Sequence, residues 1–155
     1  MDCIILLDKI GYYGPVILFA ITFYFLLDQL PYLYLFTFGS IANTILNHVL
    51  KSVFRELRPT GYIGNEQFHG SNFYGLPSGH AQSCFFSFAF FYLIRGQSNV
   101  LYLMAFISAL TLYQRWKYRC HSIKQLIYGV FIGIFFAWFI IYMYQYIRRT
   151  EYMIL

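Results

Sequence analysis

Apolar residues run along this chain in five long stretches, and a short polar segment closes each of them. The stretches occupy residues 12–27, 32–54, 78–95, 100–113 and 122–147. Because a helix rises about 1.5 Å per residue and a bilayer core is about 30 Å thick, such stretches predict transmembrane helices. Residues 1–11 are too short to span and carry Asp2, Asp8 and Lys9. They predict a short N-terminal helix that lies on the membrane surface or inserts only partly.

Composition supports an all-α integral membrane protein, a bundle of about five transmembrane helices. Hydrophobic residues make up 59% of the 155 residues and charged residues only 11%, whereas soluble domains carry about 25% charged residues. The length allows a single domain, residues 1–155. The net charge of +5 comes mostly from the ends of apolar stretches, which favours lipid phosphates over nucleic acid as partners. The cysteines Cys3, Cys84 and Cys120 lack metal-ligand spacing, and we interpret them as small hydrophobic residues.

A polar, glycine-bearing segment, residues 74–82 (YGLPSGHAQ), opens directly into the third stretch. Ser78 is suited to cap the helix that follows, and Gly79 lets a ligand approach the backbone closely. The free amides of that first turn would bind an anion, and His80 at its mouth can exchange a proton near neutral pH. On its own this pattern favours a plain capped helix. The position of two other basic clusters changes that interpretation.

Three polar residues, Asn43, Asn47 and Lys51, lie on one face of the second stretch because they are spaced four residues apart. Polar residues within a membrane helix usually face the bundle interior and usually serve a function. The two asparagines alone are explained equally well as hydrogen-bonding links between helices. Pro59 ends the helix, and the glycine-bearing segment 60–76 predicts an irregular loop that covers one membrane face.

Five spans of alternating direction bring residues 51–58, 78–80 and 115–121 to one membrane face. Seven of the eleven Lys and Arg residues gather there, namely Lys51, Arg55, Arg58, Arg115, Lys117, Arg119 and Lys124. Positive charge at one face is also the usual signal of membrane orientation. That explanation alone does not account for two histidines among the cations, His80 and His121, each at a predicted helix N-terminus.

These residue types suggest phosphoryl transfer. Lys51, Arg58 and Arg115 would hold a phosphate and neutralise the charge that develops in the transition state. A helix N-terminus and nearby cations favour the neutral, nucleophilic form of the His121 imidazole. His80 would then be the general acid that protonates the leaving oxygen.

The residues after His121 predict a helix start, because Ser122-Ile123-Lys124-Gln125 has the form of a capping box. Gln125 would accept a hydrogen bond from His121 Nδ1, or it would act only as the capping partner, and both interpretations stay open. Glu56 and Glu66 are isolated, so no carboxylate cluster is available to magnesium or zinc. We therefore expect a site without metal or cofactor.

Three motifs, Lys51-x6-Arg58-Pro59, Pro77-Ser78-Gly79-His80 and Arg115-x5-His121, occur in this order at predicted helix ends. Together they resemble the signatures of the type 2 phosphatidic acid phosphatase superfamily, over a core of residues 40–140. The resemblance implies a helical membrane enzyme that removes phosphate from a lipid phosphate or diphosphate through a phosphohistidine. It implies His121 as nucleophile and His80 as acid. The phosphate ligands that it implies are Lys51, Arg58, Ser78, Gly79 and Arg115.

Two positions depart from the general pattern of that superfamily. Gln114 stands where a serine is usual, and Gln125 stands where an aspartate usually orients the nucleophilic histidine. The spacing Asn43-x3-Asn47-x3-Lys51 and the segment 74–82 resemble the dolichyl- and polyprenyl-diphosphate phosphatases, where a glutamine at the orienting place is ordinary. By that resemblance we expect Gln125 and Asn47 to orient the residues that contact the phosphate. The family commonly has six spans, whereas this chain offers five and a short N-terminal segment.

Two classes of function follow. The resemblance favours a multi-pass membrane hydrolase of a polyprenyl (dolichyl-type) diphosphate in the endoplasmic reticulum or plasma membrane. Phosphatidic acid or another lipid monophosphate is the alternative substrate. Gln114 and Gln125 favour instead a catalytically weak or inactive membrane protein that keeps the pocket for lipid-headgroup binding or assembly. Membrane lipids are the expected partners in each case. The sequence leaves open whether the protein forms a homo-oligomer.

Overall fold

The computed structural model describes residues 2–63 and 67–154, and these form a bundle of five α-helices. The helices are α1 (Asp2–Phe25), α2 (Leu30–Phe54), α3 (Gly79–Arg95), α4 (Asn99–Lys117) and α5 (Ile123–Ile154), and a 3₁₀ turn (Gly70–Phe73) lies in the loop between α2 and α3. Segments Ile4–Phe25, Leu30–Phe54 and Ile123–Thr150 are long and apolar enough to cross a membrane. The predicted all-α membrane fold is therefore confirmed.

The short N-terminal helix predicted for residues 1–11 is wrong as a separate element, because the chain forms one helix, α1, from Asp2 onward. Gly11 does not interrupt α1 but lies where it crosses α4. A Cβ on Gly11 would come within 2.6 Å of the carbonyl oxygen of Leu110, and Gly14 packs as closely against Thr111. Small residues commonly allow such close contacts between membrane helices.

Two further helix ends differ from the predictions. α4 continues through Lys117 and does not end near Tyr113, which places Arg115 in its last turn. α5 continues through Arg148 and Arg149, so the end predicted at residue 147, where the fifth apolar stretch stops, is wrong. Charged residues mark a membrane boundary, but they do not interrupt a helix as proline or glycine does.

α3 lies at the centre of the bundle and contacts each of the other four helices. On one side, Phe86 and Phe90 of α3 pack against Phe36 of α2. On another side, Phe91 of α3 packs with Met104 of α4 in a second buried cluster. Because α3 is enclosed in this way, its N-terminus has a fixed position in the bundle.

The most extensive helix contact is between α3 and α5. A Cβ on Gly129 of α5 would lie 2.6 Å from the carbonyl oxygen of Ser78, and a Cβ on Gly133 would lie 2.9 Å from the backbone nitrogen of Phe86. Two glycines four residues apart let membrane helices approach backbone to backbone. This contact, which we call the glycine seam (Gly129 and Gly133 against α3), sets the position of α5 relative to the start of α3.

A buried network of side-chain amides joins α2 to α3. Gln82 Nε2 donates to the backbone and side-chain oxygens of Asn43, at 3.0 and 2.8 Å. Asn47 Nδ2 donates to Gln82 Oε1 at 2.8 Å and to the carbonyl oxygen of Pro77 at 3.3 Å. Asn43 is therefore an interhelical link, and Asn47 is a link that also holds the segment before α3.

At the other end of the bundle, Arg95 of α3 pairs with Asp28 and with the carbonyl oxygen of Phe25. Cys84 and Cys120 are buried free thiols, as expected for small hydrophobic residues. The side chain of Cys3 lies outside the described residues, and so does Glu66.

Candidate active site

The C-terminal end of α2, the N-terminal end of α3 and the connection between α4 and α5 meet around a cavity of about 670 Å³. Seven of the nine predicted site residues line this cavity: Asn47, Lys51, Arg58, Gly79, His80, Arg115 and His121. The other two, Ser78 and Gln125, are buried behind its wall. The three chain segments that were predicted to share one membrane face therefore meet at one site.

The first turn of α3 borders the cavity with Gly79, which has no side chain, and with His80. Ser78 caps the helix as predicted, since its Oγ accepts from the backbone amide of Ala81 at 3.4 Å. The Ser78 amide donates to the carbonyl oxygen of Gln125 at 3.1 Å, which ties the start of α3 to α5. A Cβ on Gly79 would lie 3.1 Å from Asn47 Oδ1. This arrangement leaves room for an anion at the helix N-terminus.

Three cations line the cavity, and two of them, Lys51 and Arg115, are only 3% and 1% exposed. Lys51 Nζ donates to Asn72 Oδ1 at 2.9 Å, and Arg58 donates to the Asn72 carbonyl oxygen from Nε and Nη2, at 3.0 and 2.9 Å. The Arg58 guanidinium also stacks on the ring of Phe68, 3.6 Å from its centroid. Like charges buried together repel one another, so a bound anion would stabilise this group of side chains.

His121 is buried between α4 and α5, and its two ring nitrogens have different surroundings. Nδ1 lies 2.9 Å from the carbonyl oxygen of Gly75, which can only accept, so Nδ1 carries the proton. Nε2 then holds the lone pair, and Arg58 Nη1 donates to it at 3.1 Å. Burial, followed by the charges of Arg58, Arg115 and Lys51, holds the pKa of His121 well below its usual range. The site thus contains a neutral imidazole.

Gln125 does not make the predicted hydrogen bond to His121, since the Gly75 carbonyl occupies that position. Gln125 Oε1 instead accepts from the backbone amide of Ser122 at 3.2 Å, and Ser122 Oγ accepts from the backbone amide of Gln125 at 3.2 Å. This reciprocal pair is a capping box at the start of α5. Of the two interpretations open from the sequence, the capping partner is the one observed.

Glu56 is isolated in the sequence but not in the structure. Its Oε2 pairs with Lys124 Nζ at 2.6 Å, and its Oε1 accepts from Gln125 Nε2 at 3.1 Å. The hydrogen bonds from Lys124 and then Gln125 lower the pKa of Glu56, so this carboxyl group is ionised. The backbone carbonyl of Glu56 also accepts from the amide of Gly75 at 2.7 Å.

The groups around the cavity suit an anion better than a cation. Lys51, Arg58 and Arg115 carry positive charge, and the remaining polar lining consists of imidazoles, amides and hydroxyls. In the part of the chain that the structure describes, no three His, Cys, Asp or Glu side chains come together as ligands for a metal ion.

α1 forms a wall of the cavity that the sequence did not indicate. The ring of Tyr12 lies 6.0 Å from the ring of His80, and its centroid lies 5.8 Å from Arg115 Cζ. Tyr13 and Val16 also line the cavity, although 54% and 66% of their surfaces are exposed. The apolar character of α1 was the available signal, and any lipid-facing helix has it.

α1 and α2 both border the cavity and barely touch each other. We call the gap between them the α1–α2 cleft, lined by Tyr13 and Val16 of α1 and by Thr44 and His48 of α2. The loop residues Asn72 and Phe68 were missed as well. A loop without periodic spacing gives no sequence signal for contacts of this kind.

A model of the PAP2 superfamily matches residues 31–149. The chain belongs to the PAP2 superfamily. The matched segment contains all three motifs, so the predicted resemblance to the type 2 phosphatidic acid phosphatases is confirmed. The match begins at the start of α2 and extends into α5.

The chain is similar to two proteins that are named as phosphatases. This PAP2 chain is similar to lipid phosphate phosphatase epsilon 2, chloroplastic, of Arabidopsis thaliana, with 30% identity over 112 residues, which covers 66% of the chain and 37% of the relative. It is similar to dolichyldiphosphatase 1 of Dictyostelium discoideum, with 33% identity over 114 residues, which covers 65% of the chain and 48% of the relative. The similarity therefore spans less than half the length of each relative. No solved structure matches the chain significantly.

Proposed function

We propose that this PAP2 protein is a multi-pass membrane phosphatase that hydrolyses a polyprenyl diphosphate of the dolichyl type. The main support is a neutral His121, with Nε2 beside Arg58, in a cavity that the exposed side chains of Tyr13 and Val16 border at the α1–α2 cleft. Similarity to a protein named dolichyldiphosphatase favours a diphosphate substrate. We infer that the protein resides in the endoplasmic reticulum or plasma membrane, as the motif resemblance suggests.

In the first step, Lys51, Arg58, Arg115 and the amides at the start of α3 bind the terminal phosphoryl group. Phosphate oxygens accept hydrogen bonds more strongly than a neutral imidazole does, so Arg58 turns to the substrate and frees the Nε2 lone pair. His121 Nε2 attacks the phosphorus in line with the leaving oxygen. The bond between phosphorus and the bridging oxygen breaks, and His80 donates a proton to that oxygen.

In the second step, His80 accepts a proton from a water molecule, and the water oxygen attacks the phosphohistidine. The nitrogen–phosphorus bond breaks, inorganic phosphate leaves, and His121 returns to its neutral form with the proton on Nδ1. One water molecule is consumed, and one lipid monophosphate and one inorganic phosphate are formed. Both steps use the same cations, because charge develops on the same phosphoryl oxygens.

A lipid monophosphate is the second candidate substrate, because a relative is named lipid phosphate phosphatase. The interpretation as an inactive lipid-binding protein was based on Gln114 and Gln125. It loses support at Gln125, because the Gly75 carbonyl supplies the acceptor for His121 Nδ1 that an aspartate supplies elsewhere in the family.

The test is release of inorganic phosphate by the purified protein in lipid vesicles, with polyprenyl diphosphate, polyprenyl monophosphate and phosphatidic acid as substrates. We expect the diphosphate to react fastest, and His121→Ala to lower kcat by at least ~10³-fold, as loss of a nucleophile does. Substrate labelled in the terminal phosphate should leave label on His121 after an alkaline quench. Activity should survive EDTA and fall with vanadate.

His69→Ala is the matched control, because His69 is an exposed loop histidine. It should leave the rate of phosphate release unchanged. Equal release by the wild type and His121→Ala would contradict the proposal, and faster release from phosphatidic acid than from the diphosphate would change the substrate.

A further inference from the structure

The Gly75 carbonyl orients His121, and a backbone carbonyl has to be held in place by its own neighbours. We propose that Glu56 is a positioning residue that holds Gly75 through Gln125 and thereby keeps the lone pair of His121 on Nε2. We call these three residues the positioning chain (Glu56, Gln125 and Gly75). The inference rests on the proposed role of His121 as nucleophile, but the tautomer of His121 can be measured without any activity.

Gly75 is held from two directions. Its amide donates to the carbonyl oxygen of Glu56 at 2.7 Å. Its Cα lies against the Gln125 side chain, because a Cβ at this position would come within 2.6 Å of Gln125 Cδ and Nε2. The peptide that carries the acceptor for His121 Nδ1 therefore lies between Glu56 and Gln125.

Gln125 is 1% exposed and has its own fixed orientation. Its Nε2 donates to Glu56 Oε1 at 3.1 Å and to the carbonyl oxygen of Leu57 at 2.8 Å, and its Oε1 accepts from the Ser122 amide at 3.2 Å. An ionised carboxylate only accepts hydrogen bonds, and a backbone amide only donates them. The Ser122 amide and the Leu57 carbonyl thus set the orientation of the side-chain amide, and the Glu56 carboxylate is the second acceptor that holds its Nε2 in place.

Glu56 links the first motif to the start of α5. It follows the C-terminal end of α2, whereas Gln125 belongs to the first turn of α5. The Glu56 carboxylate is thus connected to the His121 ring through Gln125 and Gly75. It acts on the orientation of the Gln125 amide, and a displacement of about 1 Å at a reacting group costs about 10²-fold in rate.

Lys124 offers a matched control. It pairs with the same Glu56 carboxylate at 2.6 Å, but through Oε2, whereas Gln125 binds Oε1. The Lys124 side chain is 59% exposed. Removing Lys124 abolishes the ion pair and leaves the Gln125 contact in place, so it separates a general effect of the ion pair from the specific effect of the positioning chain.

The experiment compares Glu56→Ala, Glu56→Gln and Lys124→Ala with the wild type, all in lipid nanodiscs. The first readout is the tautomer of His121 by ¹⁵N NMR of histidine-labelled protein, with His121→Ala to assign the signals. We expect a proton on Nδ1 in the wild type, Glu56→Gln and Lys124→Ala, and in Glu56→Ala an additional minor population with the proton on Nε2, which stays minor because Arg58 Nη1 still donates to Nε2. Glu56→Gln retains an oxygen that can accept from Gln125 Nε2.

The second readout is the kinetics of phosphate release. For Glu56→Ala we expect kcat to fall about 10- to 100-fold with KM within about 3-fold, because positioning is lost and phosphate binding is not. Glu56→Gln and Lys124→Ala should stay within about 3-fold of the wild type in kcat. Vanadate binding corrects for the fraction of folded protein in each sample.

An unchanged His121 tautomer in folded Glu56→Ala, or equal losses in Glu56→Ala and Lys124→Ala, would overturn the inference. If Glu56→Ala does not fold, Glu56→Asp decides, because it keeps the charge and shortens the side chain by one methylene. A larger kcat loss in Glu56→Asp than in Glu56→Gln supports positioning, and an equal or smaller loss overturns it. A wild type that releases no phosphate would refute the proposed function, while the NMR comparison would still decide the inference.

Discussion

The two sides of the cavity are built in different ways. On one side, α3 and α5 meet at the glycine seam, where backbone contacts backbone. On the other side, α1 and α2 barely touch, and exposed side chains such as Val16 border the opening. Within a bilayer no water-driven force presses helices together, so close packing decides which helix pairs are rigid. We therefore call the closely packed side at α3 and α5, which is proposed to make and break bonds, the rigid side. We call the loosely packed side at α1 and α2, which would admit the lipid, the open side.

Breaking the glycine seam should have the largest effect. Gly133→Leu places a side chain where a Cβ alone would overlap the carbonyl oxygen of Gln82, so α3 and α5 cannot keep their distance. We expect the Gly133→Leu variant not to fold. In Gly133→Ala we expect the free energy of unfolding to fall by about 1–3 kcal/mol, the usual cost of overpacking. Circular dichroism during heating in detergent measures the stability of each variant, and phosphate release shows whether each one keeps a working site.

Gly39→Ala is the control for the glycine seam. A Cβ on Gly39 would lie 2.5 Å from Ile140 Cδ1, the far end of a flexible side chain that can move aside. Alanine also favours a helix over glycine by about 1 kcal/mol, which offsets part of the contact cost. A loss of stability in Gly39→Ala as large as that in Gly133→Ala would show that the seam has no special role.

The sequence predicts the rigid side well where its signals are local. Ser78 as a helix cap and the box at Ser122 and Gln125 are short patterns, and both are observed. The contact from Gly75 to His121 was not predictable, because every residue has a carbonyl and the two residues are far apart in the chain. The contacts of the Glu56 carboxylate with Lys124 and Gln125 were not predictable either, because these residues lie far from Glu56 in the chain.

The open side was harder to predict than the rigid side. Tyr12 and Val16 have the same apolar character as residues that face only lipid, so no pattern marks them as part of the cavity wall. The first eleven residues were separated from the first span because their charges suggested a surface helix. Helix continuity depends on backbone hydrogen bonds, and Asp8 and Lys9 do not interrupt these.

Narrowing the α1–α2 cleft should have an intermediate effect. Val16→Trp places a large ring at the α1–α2 cleft and leaves the cations and the glycine seam unsubstituted. We expect kcat/KM for the long-chain lipid diphosphate to fall about 10-fold, which corresponds to about 1.4 kcal/mol, while a short, water-soluble phosphate ester reacts as in the wild type. Phosphate release from the two substrates gives the two kcat/KM values, and their ratio is compared between the variant and the wild type.

Val49→Trp is the control for the cleft. Val49 lies on α2, is 52% exposed and is not among the residues that line the cavity. It should leave the ratio between long and short substrates unchanged. Equal losses for both substrates in Val16→Trp would mean that the cleft does not admit the lipid chain.

The smallest expected effect is a shift in pH dependence, and it belongs to the rigid side alone. Burial first, and then the charge of Arg58, holds the pKa of His121 well below its usual range. The nucleophile therefore stays neutral below the ordinary histidine pKa, and kcat/KM is lost only as the pH falls through the depressed value. Arg58→Gln should raise the pKa of His121 and move the acid limb of kcat/KM to higher pH. The shift should recover only part of the depression, because burial is the largest cause.

The control for that shift is Arg55→Gln, which removes an exposed cation three residues away along the same segment. The acid limb should not move in Arg55→Gln or in Val16→Trp, because neither residue contributes to the lowered pKa of His121. Ionisation of the substrate is common to all variants and cancels in the comparison. Returning each sample to neutral pH before a second assay separates protonation from unfolding, since the free energy of unfolding also falls as a buried neutral histidine is forced to charge. An acid limb that moves equally in Arg55→Gln and Arg58→Gln would mean that the net surface charge, and not the Arg58 contact with Nε2, sets the protonation of the nucleophile.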